Sequence, residues 1–127
     1  MSETPNYFSA QELTCQCGCD TVEFDLGFLA KLNTIRHEAG FGFTVSSAYR
    51  CPNHPIEARK SNGPGAHSTG RAVDISCSGE KALEIIRIAQ KHGISRIGIQ
   101  QKGSGRFIHL DDCSAEQGFS SPAIWSY

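Results

Sequence analysis

The chain has 127 residues, of which 39% are hydrophobic and 20% charged, with a formal net charge of −1 and six cysteines. That length buries one hydrophobic core and is short for two, so a single domain over 1–127 is expected. Scattered Lys and Arg with a near-neutral balance leave no basic stripe for neutralising phosphates, which excludes nucleic acid as an expected partner. No apolar run approaches the roughly 20 residues of a membrane span, so membrane insertion is not expected either.

The opening "MSETPNYFSAQELT" lacks a basic segment followed by an apolar one, the pattern of a secretion leader. The expectation is a protein made in the cytoplasm. Residues 1–20 read as a Cys-rich N-terminal arm with one helical turn at "SAQEL", where Ser9 precedes Glu12 by three positions. In "DLGFLAKLNTIRHEA", residues 25–39, Phe28, Leu29, Leu32 and Ile35 recur at helical spacing and Gly40 follows as a stop. "FTVSSAYR", residues 43–50, reads as a strand that enters the long Pro- and Gly-containing loop "CPNHPIEARKSNGPG". "RAVDISC" reads as a second strand, "GEKALEIIRIAQKHG" as a second helix, and "RIGIQ" and "RFIHLD" as two further strands about the turn "KGSG". This order predicts an α+β fold, a small, mostly antiparallel sheet covered by helices on one side.

Side chains alternate across a strand, so Asp74 shares a face with Ala72 and Ser76, while Val73, Ile75 and Cys77 face the core. The same count groups Phe107, His109 and Asp111 opposite Ile108 and Leu110. His67, on the loop before the second strand, would join Asp74 and His109. Two imidazoles and one carboxylate with a position left for water form a known catalytic zinc set, since Zn²⁺ accepts both nitrogen and oxygen ligands. Spacing alone leaves the plainer readings open: histidines at the surface, and an aspartate that hydrogen-bonds a loop backbone.

The segment "AHSTGRAVDI" resembles the His-x-x-Gly-x-Ala-x-Asp motif, and "FIHLD" the second-histidine motif, of the zinc D-Ala-D-Ala carboxypeptidases and related peptidoglycan peptidases with a hedgehog-like fold. "SSAYRC" is similar to that family's Ser-x-Tyr-Arg strand, and "AIWSY" to the ending of its small bacterial and phage members, so the likeness runs from Phe28 to Tyr127. The resemblance implies that His67, Asp74 and His109 bind one catalytic Zn²⁺ and that Arg50 faces the substrate. A guanidinium there can grip a terminal carboxylate or offset charge developing on an oxyanion. It further implies a metallopeptidase acting on peptidoglycan peptides, as a carboxypeptidase or an endopeptidase, and the chain is expected to be a monomer. Without a leader, the cell wall would be reached through phage lysis or a virion.

The general base departs from the family pattern. Several branches carry an acid three positions before the second histidine or a histidine two before it; here Arg106 and Phe107 stand there. Asp111 is the nearest acid on the same strand face and takes the catalytic assignment, either as base or as a group that orients a ligand. Glu57, in a mobile-looking loop, is the spare candidate. Trp125 is expected to bind substrate along the cleft with Tyr127, unless the pair closes the core instead.

"CQCGC" spaces Cys15, Cys17 and Cys19 more tightly than a C-x₂-C knuckle. With Cys51, Cys77 or Cys113 they would form a second, structural metal site or one or two disulfides; the spacing favours neither. Two further readings of the whole chain stand beside the peptidase: a zinc-bearing binding module without the chemistry, and a Cys-rich structural domain with incidental histidines.

Overall fold

The computed structural model describes residues 5–19, 22–60 and 65–127. Positions 1–4 and 20 of the expected arm, and 61–64 of the long loop, lie outside the described residues. The helical turn of the arm is α1, Ala10–Leu13, and it forms for the reason its sequence suggests: Ser9 and Glu12 make a reciprocal capping box. Its buried Leu13 joins the main core.

Helix α2, Leu26–Ala39, begins at Asp25, whose side chain accepts from Phe28 N at 2.9 Å, and ends at Gly40. Strand β1, Thr44–Ser47, stops three residues short of the expected boundary. Its register against the next strand slips by one residue at Ser46, and the chain then leaves the sheet to deliver Arg50. The long loop after it contains a short helix, α3, Pro55–Ala58, capped by His54, whose Nδ1 accepts from Ile56 N. Strand β2 is Ala72–Ser76, helix α4 is Gly79–Lys91, and strands β3 and β4 are Arg96–Gln100 and Phe107–Asp111.

A fifth strand, β5, Ala123–Ser126, completes a sheet of order β1-β2-β4-β3-β5. All neighbours are antiparallel except β3 and β5. Helices α2 and α4 cover one face. Phe28, Leu32 and Ile35 of α2 and Ile85 and Ile88 of α4 are buried against Val73, Ile75, Ile97, Ile108 and Leu110. At roughly 1.5–3 kcal/mol for each large side chain removed from water, this layer is the principal source of stability and fixes which face of every strand turns inward. No helix among the described residues is long and apolar enough to cross a membrane.

The opposite face carries the polar row. Register sets Asp74 directly across from His109, His109 across from Gly98, and Gly98 across from Trp125. That face is expected from alternation to be open, yet Asp74, His109 and Asp111 are all buried. The 3₁₀ turn Ala66–Thr69 and the side chain of Trp125 cover them.

Candidate metal centre

His67 sits on the 3₁₀ turn, and the turn is closed by Gly70 at φ +76. A Cβ at Gly70 would stand 2.0 Å from the Glu23 carbonyl oxygen, and Gly70 O accepts from Asp25 N at 2.8 Å. Glycine is therefore required there twice over, by its left-handed backbone and by the close approach of another segment. Asp74 and His109 project from the paired strands β2 and β4 toward the same space.

The hydrogen bonds of the two imidazoles decide which nitrogens they present. His67 Nδ1 lies 2.6 Å from Ala48 O, and a carbonyl only accepts, so Nδ1 carries the proton and Nε2 keeps its lone pair. His109 Nε2 lies 2.6 Å from Asp111 Oδ2, which in the same way leaves Nδ1 free. Those two inner nitrogens face one oxygen, Asp74 Oδ1, at 3.3 Å from His67 Nε2 and 2.9 Å from His109 Nδ1. Three lone-pair donors converging in a buried place repel unless a cation lies among them. A zinc ion bonded at 2.0–2.1 Å to three tetrahedral donors would separate them by about 3.3 Å. The donor types, the spacing and the anchored outer nitrogens all fit a bound metal.

Electrostatics agree with that reading. When protons rather than a metal occupy the inner imidazole nitrogens, burial would raise the Asp74 carboxyl, but hydrogen bonds from His109 and His67 outweigh it and hold the group well below the usual carboxylate range. Burial opposes a charged His109, while Asp111 and then Asp74 more than offset it, so the imidazole holds a proton more readily than usual.

The centre forms the floor of a cleft of about 480 Å³. Arg50, Lys60 and Arg96 line it with positive charge, and Phe107, Trp125 and Tyr127 with aromatic surface. Arg50 is held from behind: Nε donates to Ser47 Oγ at 3.1 Å, Nη1 to Glu57 Oε2 at 3.2 Å, and Nη2 stands 3.7 Å from Asp74 Oδ2. Such a fork is aimed before any ligand arrives.

A sequence model of the Peptidase M15 family matches residues 6–111, most of the chain and both histidine motifs. The chain belongs to the M15 peptidases. A search of curated proteins finds no match. M15 peptidases are zinc-dependent metallopeptidases of the D-Ala-D-Ala carboxypeptidase type, and the His67–Asp74–His109 set is where this member would hold the metal.

The placement of Asp111 fits one of its two expected roles, and the expectation for Glu57 changes. Asp111 does not face the cleft as a base would: it is fully buried behind His109, with Oδ2 on His109 and Oδ1 accepting from Arg96 Nε at 2.8 Å and from Cys113 N at 3.0 Å. Its geometry is that of a group orienting His109. Glu57 is not mobile but 1% exposed, accepting from Gly65 N at 2.7 Å and pairing with Arg50 and Lys60. Burial would raise its pKa; the Gly65 amide and the two cations outweigh that and lower it.

Trp125 packs its ring 5.2 Å from that of His109, with the Arg96 guanidinium 4.7 Å from its centroid, so it walls the cleft and lies over the metal centre as well. Sequence reasoning missed Arg96, which holds Asp111 and braces Trp125. The signal was present: Arg96 and Gly98 alternate onto the polar face of "RIGIQ". Cys15, Cys17 and Cys19 gather with Cys51 away from the histidines, whereas Cys77 packs at the core and Cys113 beside Ala66 and Ala72. His37 and His92 stay at the surface, bonded to Tyr7 Oη and to Glu38.

Proposed function

We propose that this M15 peptidase hydrolyses peptide bonds in the stem or cross-link peptides of peptidoglycan, acting as a monomer at the cell wall. One observation carries the proposal: two histidines with their outer N–H groups tied down present both inner nitrogens to one carboxylate oxygen at the floor of a cationic, aromatic cleft. His67, Asp74 and His109 would hold a zinc ion there, and its chemistry would be Lewis acidity toward a carbonyl oxygen and toward water near neutral pH.

The protein's own side chains do the rest. Asp111 fixes the His109 ring, and Arg96 fixes Asp111. Arg50 offers its outer guanidinium nitrogens to a carbonyl oxygen gaining negative charge, or to the terminal carboxylate of a stem peptide. Lys60 and Arg96 line the same cleft, each already paired with a carboxylate, Glu57 and Asp111. Trp125 and Tyr127 give the peptide a face to lie on and limit the approach of bulk water.

A specific observation favours a second reading, a zinc-bearing module that binds wall peptides without cleaving them. Among the described residues lining the cleft, the only carboxylate is Asp74, itself one of the metal's donors. Incubation of the zinc-loaded protein with muropeptides, followed by mass analysis of the products, separates the two readings. The peptidase reading requires new termini with the wild type and none with His109→Ala. Binding of muropeptides that are never cut, at full zinc occupancy, would establish the module.

A further inference from the structure

We infer that Cys15, Cys17, Cys19 and Cys51 form a second metal site, a four-thiolate zinc centre that staples the N-terminal arm to the segment presenting Arg50. One sulfur from each of the four lies within 4.8 Å of the others. Cys17 Sγ stands centrally, 3.4 Å from Cys15 Sγ and 3.3 Å from Cys51 Sγ. Four sulfurs at about 2.3 Å from a tetrahedral zinc are separated by about 3.8 Å, within the 4.8 Å that bounds the cluster, and the Cys17–Cys15 and Cys17–Cys51 pairs would open by only about 0.4–0.5 Å to reach it. A disulfide would need one pair to close to about 2.05 Å, and Cys17 is instead shared between two neighbours.

Local structure supports a ligand cage. Gly18 at φ +95 turns the chain between Cys17 and Cys19, so that three cysteines which an extended chain would spread out along one face draw together toward one point. Cys51 N donates to Cys15 Sγ at 3.2 Å, a bond that stabilises a thiolate more than a thiol. Tyr49 and Phe24 pack against Cys15 and Cys51 and shield them, while Cys17 and Cys19 are exposed and open to an arriving ion. Four thiolates with no open position are a closed, structural set, and soft sulfur donors favour zinc over magnesium or calcium. On ligation each thiol releases its proton to solvent, and no redox step is involved.

The staple is joined to the cleft through two consecutive residues. Cys51 is tied to Cys15, and its neighbour Arg50 donates its backbone N–H to His67 O at 3.1 Å. Tyr49 N also donates to Leu13 O, so the staple would reinforce a link between the arm and the Arg50 segment that a backbone hydrogen bond already makes.

The full chain, produced in reducing medium with added zinc, is the material for the test. The wild type is expected to hold two zinc ions, the double variant His67→Ala/His109→Ala one, and Cys17→Ser/Cys19→Ser one. Cobalt loaded into the histidine double variant is expected to show thiolate-to-cobalt charge transfer and the intense visible bands of a tetrahedral ion. The thermal midpoint of that variant is also expected to fall on chelation. Equal zinc content in the wild type and the cysteine double variant would overturn the proposal. So would cobalt spectra without thiolate bands in a histidine variant that is folded by circular dichroism, or an intact mass showing these cysteines oxidised in pairs in the zinc-supplied protein.

Discussion

Gly98 lies on β3, an inner strand of the sheet, paired on one side with His109 and on the other with Trp125, and it has no room for a methyl group. A Cβ there would stand 2.7 Å from Trp125 Nε1, 2.8 Å from Cε2 and 3.0 Å from Cζ2. Hydrogen-bonded strands on both sides prevent the backbone from retreating, so in Gly98→Ala the indole must move off His109 and out of its stack with Arg96. Overpacking of this kind costs about 1–3 kcal/mol. At about 2.1 cal/mol/K per residue the unfolding entropy of a 127-residue chain is about 0.27 kcal/mol/K, so the melting midpoint should drop by ~4–11 °C. The protein has one tryptophan, and its emission therefore reports Trp125 alone and should shift red as the ring becomes wetter. In Trp125→Ala the obstruction is gone, and adding Gly98→Ala should then cost little more, a strongly non-additive cycle. An unchanged midpoint and emission spectrum in Gly98→Ala would refute the close-packing argument.

Asp111→Asn retains the shape of the side chain but removes the charge behind His109, and zinc affinity at the histidine site should fall about 10–100-fold; equal affinity in a competition titration would show that Asp111 does not act through the ligand. Arg50→Lys keeps one positive charge but loses the fork held by Ser47 and Glu57, and kcat/KM on muropeptides should fall about 10²–10³-fold at unchanged zinc content. Asp112 joins Arg71 and Lys31, and Arg71 also reaches Asp25 at the start of α2, so these ion pairs tie the end of β4 to that helix. Burial would raise the Asp112 carboxyl, yet hydrogen bonds from Arg71 and Lys31 lower it. A depressed folded-state pKa means stability that is present above the unfolded value of about 3.9 and lost as pH falls through the folded one. Asp112→Asn should accordingly cost about 1–3 kcal/mol at pH 7 in denaturant melts, with the gap to wild type closing below about pH 4; a gap constant down to pH 2 would contradict the ion-pair account.

Much of the site was legible before any coordinates. Strand parity placed Asp74 and His109 on the face away from the core because alternation is a property of the backbone alone, and the apolar rows Val73–Ile75 and Ile108–Leu110 leave one way to bury them. The motif around His67 and Gly70 carried the family resemblance, and its glycine has a local steric cause that any sequence with this turn must meet. The ends of α2 and the capping box of α1 follow from short-range chemistry in the same way.

What sequence could not supply are relations between segments distant along the chain. That Asp111 lies behind His109 and not beside the cleft depends on a side-chain rotamer held by Arg96, 15 positions away. Glu57 reads as a loop residue because its burial arises from Gly65, Arg50 and Lys60 closing around it, a consequence of packing that no local pattern encodes. The parallel pairing of β5 with β3, which brings Trp125 over the metal centre, is likewise a choice of sheet edge made by the assembled fold. Residue types and periodicities determined which chemistry the chain carries; only tertiary packing decided which side chains meet, because meeting depends on register, rotamer and closure across segments that the linear order keeps apart.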